Sequence, residues 1–159
     1  MSRAVPEDIE LGFHLCYGDL DAVHFIDPVD ATKMAELANL IADSAGRPVT
    51  YVHMPVPAHR TDEGFYEPLS GLRLPAGTEL YLGPVHVSDG VEGTRHRMAM
   101  AGKYVRDFGI ASECGISRGR HPSLAAEFMR AYAAAAEAGP AEAPRTRRAS
   151  RRRTGPPSG

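Results

Sequence analysis

Tryptophan is absent, cysteine occurs twice, and aromatic residues make up only 7% of the 159-residue chain. Two cysteines are too few for a disulfide-rich secreted scaffold. No apolar run approaches the roughly 18 residues of a membrane span. The N-terminal MSRAVPEDIELG has neither the apolar core nor the small-residue cleavage site of a secretory signal. These absences predict a cytoplasmic protein with no membrane partner. Basic charge is also scarce in the body. Positions 1–144 carry all 20 acidic residues against 12 Lys and Arg, a net −8, whereas positions 145–159 carry six arginines and no acid. A mildly acidic body with a basic tail predicts no specific nucleic-acid surface.

What is present suffices for one core: 43% of the residues are hydrophobic, enough at this length for a single domain. The expected organisation is one domain over 1–140 and a flexible Arg/Pro-rich tail over 141–159. The tail RTRRASRRRTGPPSG lacks apolar periodicity. Ser150, in RRAS, is a candidate for basic-directed phosphorylation, with plain solvation as the competing reading.

Four strand-like segments alternate with helical ones. IELGFHLC (Ile9–Cys16) reads as the first strand, followed by a loop and a helix capped by Asp30 or Thr32 and running to Ser44. Met34, Leu37, Leu40 and Ile41 are its expected buried stripe. PVTYVHM (Pro48–Met54), rich in β-branched and aromatic residues, is the second strand. A long connection over 58–77 holds one short helical turn, and TELYLGPVHV (Thr78–Val87) is the third strand. A helix over Thr94–Arg106 and a short fourth strand, DFGIASE (Asp107–Glu113), follow. The last helix, Pro122–Glu137, has Pro at N1, an alanine-rich body and Gly139–Pro140 as its stop. Leu124, Phe128, Ala131 and Tyr132 are its expected packing face. Strands joined by helical crossovers predict a parallel sheet. The fold class is therefore α/β, either half the strands of an eight-stranded barrel or a small open sheet.

His14 and Cys16 stand at alternate positions of the first strand and so project to one side. Cys114 ends a later parallel strand, and such ends converge on one face. Imidazole and thiolate together suit zinc. From the residues alone three readings stay open: a metal site, two core cysteines with a locally bonded His14, or a disulfide. His53, at the end of the second strand, is the favoured fourth ligand, with Glu113 and His86 as others; each histidine is alternatively an orienting partner for a ligand. Asp89 and Arg95, in VSDGVEGTR, are candidates to hold the amino and carboxylate groups of a small substrate. The competing reading makes Asp89–Gly90 a turn and Arg95 a solvated first-turn residue. Arg118 and Arg120 form either an anion-attracting loop or an exposed basic one.

GFHLCYGD, PVTYVHMPVP, GTELYLGPVHVSDGVEGTR and DFGIASECGISRGR together resemble the C-terminal part of the cobalamin-independent methionine synthase family, and look closer to its short relatives than to the full synthase. The likeness spans roughly 8–120, with HLCY and ECG its most specific parts. It implies the C-terminal half of a TIM-type (β/α) barrel. It also implies zinc held by His14, Cys16 and Cys114, with His53 in the place of the family's glutamate. The implied reaction moves a methyl group from methyltetrahydrofolate to the thiol of homocysteine or a related thiol. The alternative is a catalytically incomplete zinc-binding fragment with a structural or interaction role. Four strands with open edges further predict a homo-oligomer or a barrel-completing partner.

Overall fold

The computed structural model describes residues 4–18, 25–115 and 121–140. Ser150, the Arg-rich tail, Arg118 and Arg120 lie outside these. The order is β1 (Gly12–His14), α1 (Thr32–Ser44), β2 (Tyr51–Pro55), α2 (Glu63–Tyr66) with a 3-10 turn (Glu67–Gly71), β3 (Glu79–Val85), α3 (Gly90–Ala101), β4 (Gly109–Ser112) and α4 (Pro122–Ala138). The four strands form one parallel sheet in the order β1-β2-β3-β4. The α/β class with parallel strands and crossover helices is thus present, in an arrangement compatible with part of a barrel. None of the described helices is long and apolar enough to cross a membrane.

Strand alternation separates two faces. Val52, Met54, Leu80 and Leu82 are buried in the core with Met34, Ala38, Phe65, Tyr66 and Leu69. The opposite positions, including Tyr51, His53, Glu79 and Tyr81, remain half-buried or exposed. Among the described residues, then, one face of the sheet is packed and the other is open.

Local chemistry fixes the helix starts. The Asp30 carboxylate accepts from the Thr32 N–H at 2.8 Å, and Asp62 caps α2 by accepting from Phe65 N–H, each satisfying an otherwise orphaned donor. Pro122 opens α4, and Gly139, at φ 66°, ends it. The strands are shorter than expected, and α3 begins at Gly90 rather than Thr94.

The expected stripe of α1 is rotated. Met34 is buried together with Ala35, Ala38 and Asn39, whereas Leu37 and Leu40 are 42% and 61% exposed. The reason is a polar anchor. Asn39 Nδ2 donates to the Gly71 carbonyl at 2.9 Å, and its Oδ1 accepts from Arg73 N–H at 2.7 Å. These bonds turn the small-residue side of α1 inward. On α4, Phe128 and Ala135 are the buried positions, with Leu124, Ala131 and Tyr132 partly covered.

Candidate metal centre

β1 ends at His14, and Leu15 then hydrogen-bonds through its N–H to the His53 carbonyl at 2.9 Å. This continues the extended path beyond the strand, so Leu15 enters the core while His14 and Cys16 stay outside it. Cys114 follows β4. Curvature of the sheet brings the first and last strand ends together, and the two sulfurs stand 3.1 Å apart. Cys114 Sγ lies 3.5 Å from His14 Nε2. The ligand atoms of His14, Cys16 and Cys114 all fall within 4.8 Å of one another.

This trio can hold a metal ion. A tetrahedral ion with sulfur bonds of about 2.3 Å and nitrogen bonds of about 2.0 Å separates sulfur from nitrogen by about 3.5 Å and sulfur from sulfur by about 3.8 Å. The His14–Cys114 distance already meets the first value, and the sulfur pair needs to open by well under an ångström. At 3.1 Å the sulfurs are at hydrogen-bond rather than disulfide distance. Gly18 N–H also donates to Cys16 Sγ at 3.2 Å, which fixes the direction of that sulfur.

His53 stands one step behind the trio. Its Nδ1 faces His14 Nδ1 at 2.8 Å, with the ring centroids 4.8 Å apart. One of these nitrogens must donate and the other accept. A His14 that uses Nε2 toward a metal therefore donates from Nδ1, and His53 accepts. This is the arrangement by which an outer group sets the tautomer of a ligand. Burial, aided by the neighbouring His14 charge, lowers the His53 pKa to about 4, so the ring is neutral and suited to accept. Partial burial also lowers the pKa of His14, in the direction a ligand requires. His53 Nε2 is buried, and the Ser112 backbone works against the lowering of the pKa.

A second histidine steadies the Cys114 segment. His86 is buried, with Nε2 2.6 Å from the Val56 carbonyl and Nδ1 3.0 Å from Glu113 Oε2. Glu113 N–H donates to the Val85 carbonyl at 3.1 Å. The residue before Cys114 is thus tied to β3 through both backbone and side chain. An apolar cavity of about 600 Å³ opens beside Cys16, lined in part by Tyr17, Ile26, Val29, Met34 and Leu37.

Asp89 and Arg95 lie at the start of α3, outside the trio. The Asp89 carboxylate receives a bidentate pair from Arg97, at 2.6 and 2.7 Å. Arg95 Nε donates to the Gly139 carbonyl at 3.0 Å, joining α3 to the end of α4. The sequence pattern gave no notice of Arg97, because its carbonyl partners Pro84 and Ala58 are distant in the chain. It did set His53 near His14, as a fourth ligand or as an orienting partner, and the two rings meet from strand positions in parallel register.

No protein-family model matches this chain, and no curated protein and no solved structure matches it.

Proposed function

We propose that this chain is a zinc-binding, methyltransferase-like domain that activates a thiol, built as the C-terminal half of a TIM-type barrel of the kind the sequence resemblance suggests. The observation that carries the reading is the meeting of His14, Cys16 and Cys114 within 4.8 Å from opposite ends of the sheet order. Two sulfurs and one imidazole form a donor set for zinc that leaves a fourth position for a substrate. Zinc held by these residues would supply Lewis acidity, which favours the anion of a nearby thiol at neutral pH, against a free thiol pKa of about 8.5.

The protein's own residues do the rest. His14, oriented by His53, and the two cysteines hold the metal, while the cavity beside Cys16 accommodates the aliphatic part of a small thiol. The thiolate sulfur bonds to the methyl carbon as the bond from that carbon to the donor nitrogen breaks; the nitrogen keeps the electron pair and takes up a proton, which balances the one lost by the thiol. Homocysteine is the implied acceptor and methyltetrahydrofolate the implied donor. The open sheet face favours a second reading: a metal-binding module with a structural or interaction role, completed by another copy or another chain.

Metal analysis of the full chain tests the centre. About one zinc per chain is expected, falling sharply in Cys16→Ser and in Cys114→Ser. Cobalt substituted for zinc should show sulfur-to-metal charge-transfer absorption that changes when homocysteine is added. Substoichiometric metal that both variants leave unaltered overturns the centre. A cobalt spectrum indifferent to homocysteine overturns thiol activation, and absence of methionine from methyltetrahydrofolate and homocysteine overturns the methyl transfer.

A further inference from the structure

The open face of the sheet carries a second chemical environment, below the level of His14. Tyr51 and Tyr81 face each other edge to face, at 84° with centroids 6.0 Å apart. With Glu10, Glu79 and His53 they line an open cavity of about 460 Å³. This corner depends on two glycines. A Cβ on Gly12 would strike the Tyr51 ring at 2.1 Å, and one on Gly109 would strike the Tyr81 ring at 2.4 Å. Each ring therefore fills the space that a side chain at the neighbouring edge-strand position would take.

The charge of the cavity is one-sided. Among the described residues, neither Glu10 nor Glu79 is in an ion pair, and no Lys or Arg lines the cavity. Tyr81 Oη–H donates to Glu79 Oε2 at 2.8 Å, which fixes both the carboxylate and the ring. Aromatic faces attract cations through the ring quadrupole, best when the cation is large and weakly hydrated. Carboxylates add attraction at longer range. A bare metal ion would leave most of this volume and both rings unused.

We propose that this cavity binds a small methylated onium cation, a quaternary ammonium or a sulfonium, against the Tyr51 and Tyr81 rings and beside the Glu10 and Glu79 carboxylates. The cavity includes none of the three metal-ligating residues and shares only His53 with the centre, and its occupation does not depend on the zinc reading.

Titration calorimetry of the full chain with choline, trimethylsulfonium and the uncharged choline isostere 3,3-dimethylbutan-1-ol tests it. At least one onium should bind, and whichever binds more tightly identifies the source; the isostere should bind at least tenfold more weakly. Tyr51→Leu and Tyr81→Leu should each weaken onium binding by about two- to thirtyfold, the range of a cation over a ring. Tyr51→Phe keeps the ring and should retain binding, which separates ring loss from misfolding. Cys16→Ala should lose metal but keep onium affinity, so that failure of one site is distinguishable from failure of the other. Binding of neither onium, equal binding of the isostere, or affinity unchanged in folded Tyr51→Leu and Tyr81→Leu overturns the proposal.

Discussion

Replacing Asp89 with alanine removes the one acidic ion-pair partner that the Arg97 guanidinium has among the described residues. Arg97 is 0% exposed and makes four hydrogen bonds: to the Pro84 and Ala58 carbonyls at 2.9 and 2.8 Å, and to the two Asp89 oxygens. After the substitution the carbonyls remain but the charge stays buried and uncompensated. Breaking such a pair costs about 3–5 kcal/mol. Asp89 is itself 38% exposed at the side chain, so water reaches the vacated position and the low end, about 3 kcal/mol, is expected. For a chain of this length that corresponds to a fall in Tm of about 6–12 °C. Urea and thermal unfolding measure it. The double variant Asp89→Ala/Arg97→Met should recover part of the loss, because it removes the stranded charge as well. The pH dependence has a definite sign. Partial burial works to raise the Asp89 pKa, but the Arg97 hydrogen bonds and charge outweigh it and the result lies below the ordinary value. The pair's stabilisation is therefore complete above the unfolded carboxyl pKa of about 3.9 and is lost as pH falls through the lower folded value. A stability loss under about 1 kcal/mol, accompanied by weakened binding of an amino-acid thiol, would refute this account and favour the substrate-holding role for Asp89.

His53→Ala should weaken zinc binding by about 10- to 100-fold, as loss of a ligand's orienting partner does; competition with a chromophoric chelator reads this, and unchanged affinity would remove His53 from the centre. Metal-free chain treated with glutathione disulfide should lose both titratable thiols as Cys16 and Cys114 are oxidised to one disulfide and the reagent is reduced to two glutathione thiols. Zinc should block the reaction, and thiols that persist in the metal-free chain would contradict the 3.1 Å sulfur separation. His86→Ala should destabilise the fold by about 1–3 kcal/mol through loss of a ring buried and bonded at both nitrogens. Denaturant unfolding checks it, and a neutral result would show that Glu113 and Val56 are held without the ring.

The alternation of strands and helices, and hence the parallel sheet, was legible in the residues alone. Those signals are local: Pro122 and Gly139 at the ends of α4, Asp30 before α1, β-branched runs bounded by proline. The residues alone also placed His14 and Cys16 on one side of an extended segment, since a period of two needs no tertiary information. The remainder depends on contacts between residues far apart in the chain. The rotation of α1 followed Asn39, whose partners Gly71 and Arg73 lie more than thirty residues away, and a hydrophobic stripe cannot register such an anchor. Cys114 reaches Cys16 across 98 residues only because the sheet curves. His53 faces His14 rather than joining the trio, a matter of side-chain direction within a level register. Asp89 and Arg97 found each other within α3's first turns because the guanidinium also needed the Pro84 and Ala58 carbonyls. Spacing along the chain set which donors were available, and the curvature of the sheet with its buried polar anchors set which of them meet.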